Sequence, residues 1–401
     1  MISHIKIFND PVYGFVKVPN GIILELIDHP YFQRLSRIKQ VGTVSYVYPG
    51  ATHTRMHHAI GALHLMMQAL DILKSKGVAI TEEEVEAACI AILLHDIGHG
   101  PYSHALEGLI INAHHESITE VYLDALNKEF AGKLSLAIKI FKNEYHKPFL
   151  FQLVSGQLDM DRLDYLNRDS FYTGVSEGIV GYDRIIKMLD VRENDLVVEE
   201  KGIYSIENFL ISRRIMYWQV YLHKTTLSAE LMMIHFLKRL KSLCQEGKIS
   251  SDNNLLFFLK NNFSIDDLKN DSALLKRFSL LDDYDVIYQI KMMLDASDRV
   301  LREHADGLLN RKLFKLKYRN NEMESDYITD IRQRILRNYG EELFPYFFFT
   351  GTEKNVAYDE QKEIKILNKA GEIISISEIE ELDIKSKIIT KFYSCFPKNM
   401  L

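Results

Sequence analysis

Thiols are scarce in this chain: three cysteines, Cys89, Cys244 and Cys395, lie far apart and in no CxxC spacing. Neither a disulfide framework nor a thiolate zinc site is therefore expected, and a reducing cytoplasmic setting fits the usage. No uninterrupted apolar stretch approaches the length that crosses a bilayer. The opening MISHIKIFND has no cationic leader followed by an apolar run, so the chain reads as unexported, with no membrane partner. Positive charge is not in surplus either, with 49 Lys+Arg against 55 Asp+Glu and a net of -6. That balance gives no electrostatic case for a protein that coats nucleic acid. Internal repeats and low-complexity tracts are missing too, so solenoid architectures gain no support.

What is present is ordinary globular composition, 47% apolar and 26% charged over 401 residues, enough for a substantial core. Residues 2–8 and VYGFVKV flank the turn-prone NDP and predict an entrance hairpin. Helical spacing follows from Gly21 to Lys39, with a break near Pro30. Beyond Thr54 long helices dominate, and Thr81 with Glu84 forms a capping box ahead of the buried stripe Val85, Ala88, Cys89, Ile92 and Leu93. Helical periodicity returns over 116–143, 155–169, 205–245 and 284–310, interrupted by a predicted hairpin, LVVEEKGIYSI. The polar stretch RNNEMESD marks a loosening near 319–326, and IKILNKAGEIISI predicts another hairpin. The expected fold is mainly α, a helical core with short β-hairpins over 1–310 and a small α+β appendage over 311–401.

Nine of the fifteen histidines fall between His53 and His115. Imidazole nitrogen and carboxylate oxygen are the usual ligands of Zn, Mn and Fe. Adjacent His95 and Asp96 close a helix at LLHDIGHGPYSH, where Gly98 and Gly100 let the chain turn so that His99 and His104 face a pocket. His58 is a third ligand candidate, because Ala62, Leu65, Met66, Ala69 and Leu70 turn its helix face to the core, and Asp161 is a candidate for the fourth. Taken singly, each histidine is better read as a packed side chain satisfied by a carbonyl, and His4, His29, His64, His146, His235 and His304 keep that reading. Tyr217 and Trp218 are expected in the core.

The pattern H…HD…D resembles the HD-domain metal-dependent phosphohydrolases. NDPVYGFVKV, IDHPYFQRLSRIKQVG, YVYPGATHTRMHHAIG, LLHDIGHGPYSH, HHES, LDMDRLDYLNRDSFYTG and RRIMYWQVYLHKT are similar, in order and spacing, to the deoxynucleoside-triphosphate triphosphohydrolase branch, over roughly residues 5 to 230. The resemblance implies an HD-domain fold and one divalent ion per subunit (Fe, Mn, Zn or Mg) on His58, His95, Asp96 and Asp161. It implies His115, His104 and Glu107 for proton transfer, where close relatives often carry aspartate at the last position. Polyphosphate falls to Arg55, Arg162, Arg213 and Lys224, with Arg162 in place of a lysine. Gln40 and Val41 border the sugar, Val41 standing where relatives have leucine, Tyr165 and Asp169 hold the 3′ side of the deoxyribose, and Tyr221 packs against the sugar or base. A regulatory nucleotide on Lys6, Asn9, Asp28 and Gln33 at the interface of a homo-oligomer, dimer or tetramer, is also implied, with Ser36 in place of one arginine of that site and Arg37 nearby. The residues leave two alternatives open: an HD phosphohydrolase of another nucleotide or phosphomonoester, or a homologue that binds nucleotide without turnover.

Overall fold

The computed structural model describes residues 5–250, 252–321, 326–355, 363–379 and 389–400. Its entrance is the expected hairpin, β1 (Lys6–Asp10) paired antiparallel with β2 (Gly14–Val18). Short helical segments follow over 22–37, broken at Pro30, where the His29 ring caps the restart by accepting from the Tyr31 amide (3.1 Å).

Four helices then build the frame of the site: α1 (Arg55–Ser75), α2 (Glu82–Leu94), α3 (His115–Glu129) and α4 (Met160–Thr173). Helix α1 is the central one, packed against both α2 and α4. Small residues allow this approach: Ala59 and Ala62 are fully buried, and a Cβ on Gly61 would lie 2.1 Å from side-chain atoms of Arg168 and Asp164 on α4. Helix α2 starts on the expected capping box, with the Glu84 amide donating to the Thr81 hydroxyl (3.2 Å) and the Thr81 amide to the Glu84 carboxylate (2.8 Å).

The helix expected over 116–143 is divided, because Ala131 and Gly132 adopt left-handed backbone (φ 53° and 85°) between α3 and a short helix at 135–141. LVVEEKGIYSI is not a hairpin in itself. Its first half is β4 (Asp195–Glu199), paired with the upstream β3 (Leu189–Arg192), and its second half opens α5 (Ile203–Met216). The turn lies at Glu193-Asn194, both with positive φ (53° and 66°), the conformation that two-residue hairpins need. The run 205–245 is divided as well. A widened turn at Tyr217–Tyr221, closed by the Leu222 amide on the Tyr217 carbonyl (2.8 Å), separates α5 from α6 (Lys224–Gln245). Such five-residue turns rotate the side chains that follow them off the helix register.

The last expected helix appears as α7 (Asp283–Met292) and α8 (Arg299–Leu309), the second capped by Asp298. Short helices at 148–154, 182–188, 254–260, 265–270 and 272–278 complete the helical part, and after α8 come β5 (Lys315–Arg319), α9 (Asp326–Leu343), β6 (Phe349–Asn355), β7 (Lys365–Leu367), β8 (Ile373–Ser375) and β9 (Ile389–Phe396). Strands β5, β9 and β6 form an antiparallel sheet in that order. The hairpin predicted in IKILNKAGEIISI is β7–β8, and β7 also pairs in parallel with β4, so the C-terminal strands contribute to two sheets. No helix among the described residues is long and apolar enough to cross a membrane. His4 lies outside the described residues, as does the side chain of His104.

Candidate active site

Two adjacent histidines at the start of α1 divide their tasks. The His57 ring caps the helix by accepting from the Thr54 amide (3.2 Å), while His58, one residue on, is fully buried and points between the helices. Its Nδ1 donates to Asp164 (2.7 Å), which leaves Nε2 facing the Nε2 of His95 (3.3 Å) and an Asp161 oxygen (3.1 Å). His95 is fixed in the same way, its Nδ1 donating to the Ile92 carbonyl (2.6 Å) where α2 ends, and its Nε2 lies 3.5 Å from Asp161. His58, His95 and Asp161 thus bring one ligand atom each to within 4.8 Å of the others.

This set fits a divalent cation. Both imidazoles are held in the tautomer that turns an Nε2 lone pair inward, the arrangement that metal-binding histidines adopt. The electrostatics call for positive charge between them: burial opposes protonation of His58, yet Asp161 and Asp164 outweigh it and raise its pKa to about 10. Burial works against ionising Asp161, and the two histidines overcome it to hold the carboxyl well below its ordinary range. Asp96, the other expected ligand, lies beside the set, 3.4 Å from His95 and 3.8 Å from His58. It also accepts from Arg55 (2.6 Å) and pairs with His99 (3.1 Å).

A buried chain of charges stands behind His58. Asp164 receives the Nε and NH2 of Arg168 (both 2.9 Å), and Arg168 NH1 reaches Asp10 (2.8 Å) at the tip of β1. Sequence reasoning passed over Asp164 and Arg168, although their four-residue spacing on a helix was a readable sign of an ion pair. On the other side of the ligands, Gly98 permits close packing rather than a special turn: a Cβ there would lie 2.3 Å from the His115 carbonyl and the Thr119 amide. His115 thereby stacks on His99, with centroids 3.9 Å apart, and its Nδ1 and amide both meet the Glu107 carboxylate (2.9 and 2.7 Å). Burial first, then the charge of Arg55, holds His99 well below its ordinary pKa and keeps it neutral.

These groups open onto a cavity of about 460 Å³, a size typical of small-molecule sites. Asp96, Asp161, His99, His115 and Arg55 line it together with Gln40, Val41, Tyr165, Asp169 and Tyr221. Asp169 is held by His53 (2.7 Å) and by the Tyr221 hydroxyl (2.6 Å). Tyr217, at the start of the widened turn, also lines the cavity, contrary to its expected place in the core. Arg162, Arg213 and Lys224 are not among the lining residues. Arg162 is drawn to Asp159 and the Gly156 carbonyl, Arg213 bonds Gln157, and Lys224 is exposed on the first turn of α6. Lys6, Asn9 and Asp28 are exposed, Gln33 donates to the Ile27 carbonyl (2.8 Å), and Arg37 pairs with Asp282 (2.5 Å).

A helical core presenting two imidazoles and a carboxylate to one point, beside a nucleotide-sized cavity, defines a metal-dependent phosphohydrolase. The HD domain matches residues 55–166 and the HD associated region residues 180–262. The chain is 47% identical to a solved phosphohydrolase from Bacteroides thetaiotaomicron, with a TM-score of 0.92 over 98% of this chain and 100% of that one. It is 30% identical to the uncharacterized protein YwfO of Bacillus subtilis, over 100% of this chain and 94% of that protein. It is also 34% identical to the deoxynucleoside triphosphate triphosphohydrolase SAMHD1 homolog of Dictyostelium discoideum, over 57% of this chain and 48% of that protein. The chain belongs to the HD-domain metal-dependent phosphohydrolases.

Proposed function

We propose that the substrate is a deoxynucleoside triphosphate, hydrolysed at the α-phosphorus to nucleoside and triphosphate. The observation that carries the reading is the cavity in which Asp161, one of the three ligands of the metal set, and the neighbouring Asp96 are lined up with Gln40, Val41, Tyr165 and Asp169, groups suited to a sugar. His58, His95 and Asp161, with Asp96 beside them, would hold a divalent ion, which would supply an acidified water and polarise a phosphate oxygen.

The chain's own residues do the rest. Arg55, anchored on Asp96, sets a guanidinium beside the α-phosphate. With Nδ1 engaged by Glu107, proton transfer by His115 to the departing 5′ oxygen runs through Nε2, and Glu107 is a positioning residue. Neutral His99 commits its one N–H to Asp96 (3.1 Å) and so orients that carboxylate at the phosphate end of the cavity. Tyr165 and the buried Asp169 take the 3′ side of the sugar, while Gln40 and Val41 crowd its 2′ position and disfavour a hydroxyl there. Arg162, Arg213 and Lys224 reach the outer phosphates by side-chain rotation. The regulatory nucleotide and the homo-oligomer belong to the same reading, and the exposure of Lys6, Asn9 and Asp28 supports it.

A product-resolved screen of dNTPs and NTPs, singly and in pairs, with Mn, Mg and Fe tests this. Triphosphate from dNTPs is expected, with pairs revealing activation and a change of oligomeric state on a sizing column. Monophosphate with pyrophosphate, or orthophosphate alone, would overturn it.

A further inference from the structure

The cavity continues past the groups assigned to the sugar. Asp161, Tyr165 and Asp169 repeat at four-residue spacing on α4 and all line it, so this row runs roughly 12 Å along the helix. At the Asp169 end of this row the Tyr221 hydroxyl meets Asp169, and Leu222, Thr226 and Glu230, which follow Tyr221 in the chain, line the cavity too. A nucleotide with its α-phosphate at Asp161 and its sugar on Tyr165 and Asp169 places its base against α6.

Thr226 and Glu230 are one helical turn apart, on one face of α6. Thr226 is 2% exposed, and its hydroxyl has no hydrogen-bond partner among the described residues. Its carbonyl accepts from the Thr43 hydroxyl (3.2 Å), which pins α6 to the loop carrying the sugar gate. The Glu230 carboxylate likewise makes no hydrogen bond or ion pair among the described residues. Burial first, and then the charge of Glu353 of β6, raise the carboxyl above its ordinary range, and hydrogen-bond donors on a ligand would return it to the ionised form. A hydroxyl as enclosed as that of Thr226 normally has a partner, and Glu230 is half-buried beside it. Here both border the cavity, where a ligand supplies partners.

We infer that Glu230, assisted by Thr226, reads the nucleobase and makes guanine the preferred base, an inference that rests on the nucleotide reading above. A carboxylate offers acceptors and no donor. Guanine presents two adjacent donors, N1–H and the N2 amino group, and can pair with both oxygens at once. Adenine and cytosine place a ring acceptor next to their amino group, and thymine flanks N3–H with carbonyls, so each sets a lone pair against the carboxylate.

The experiment compares kcat/KM for the four dNTPs in the wild type, Glu230→Gln and Glu230→Asp, alongside binding of the four analogues that carry a methylene group in place of the 5′ oxygen and so cannot be cleaved there. The wild type is expected to favour guanine by about tenfold or more. Glu230→Gln, with one donor and one acceptor, is expected to lose that preference and shift toward adenine. Glu230→Asp keeps the preference at lower affinity, which tests the carboxylate should Glu230→Gln fail to fold. Hydrolysis of all four bases with ratios unchanged by Glu230→Gln overturns the inference and leaves the activity standing. Guanine-selective analogue binding that depends on Glu230, without triphosphate from any dNTP, supports the inference and removes the activity.

Discussion

Asp164 is the residue through which the hairpin at the chain's start is tied to the metal ligands. It orients His58 from behind and is itself fixed by Arg168, whose far side is held by Asp10. Replacing Asp164 by Ala frees the His58 ring and strips Arg168 of a partner. Metal affinity is expected to fall roughly 10–100-fold, measured by competition with a chelator; an unchanged affinity would show that the ring needs no such support. Gly61→Ala forces a Cβ into the same ion pair and is expected to cost about 3 kcal/mol in unfolding free energy. A melting curve that coincides with the wild type would contradict that packing. At this scale the sequence was readable where ligand chemistry concentrates, at His95-Asp96, His58 and Asp161. Asp164 was hidden because it is one acid among several in LDMDRLDYLNRD, and only the fold distinguishes those that face α1.

Helix α7 shows how an element remote in sequence shapes the site. Asp283, in its first turn, accepts from the Lys39 amide (2.9 Å) and the Tyr102 amide (3.0 Å), clamping both loops that border the cavity. Tyr102 has left-handed backbone (φ 45°), a conformation that needs such support in a non-glycine residue. Asp283→Ala leaves two amides without acceptors, and KM for nucleotide is expected to rise about tenfold or more while metal affinity stays unchanged. Equal loss of metal and nucleotide binding would instead indicate general unfolding. The helices themselves followed from apolar periodicity. Their interruptions did not, since positive φ at Ala131 and the widened turn at Tyr217–Tyr221 leave the periodic pattern intact. The β3–β4 turn was missed because Glu193-Asn194 lacks the glycine that usually marks it.

In the whole molecule, the C-terminal sheet is joined to the helical core by ring packing. His304 of α8 and His235 of α6 both contact Phe349 of β6, His235 stacked at 3.8 Å, and the His304 Nδ1 donates to the Val300 carbonyl (2.9 Å). Burial drives the His304 pKa down to about 3 and that of His235 down to about 4. A depressed histidine contributes stability that is present above 6.5, its unfolded value, and lost as pH falls toward the folded value. The carboxyls of Glu230, Asp159 and Asp283, raised chiefly by burial, act in the opposite sense over the same window, so a paired comparison is needed. Between pH 7.5 and 5.5 the wild type is expected to lose about 1.4 kcal/mol relative to His304→Phe in denaturant unfolding; parallel curves would contradict a buried neutral His304. The reach of β7 across to β4 was not legible, because a parallel pairing over that sequence separation leaves no local signature.

The claim that the cavity serves triphosphate release is tested most directly by hydrolysing dGTP in 18O-labelled water and following the products by 31P NMR and mass spectrometry. The account predicts inorganic triphosphate carrying one 18O on a terminal phosphorus, with unlabelled deoxyguanosine. Labelled pyrophosphate or orthophosphate with a nucleotide product, or label in the nucleoside, would contradict it.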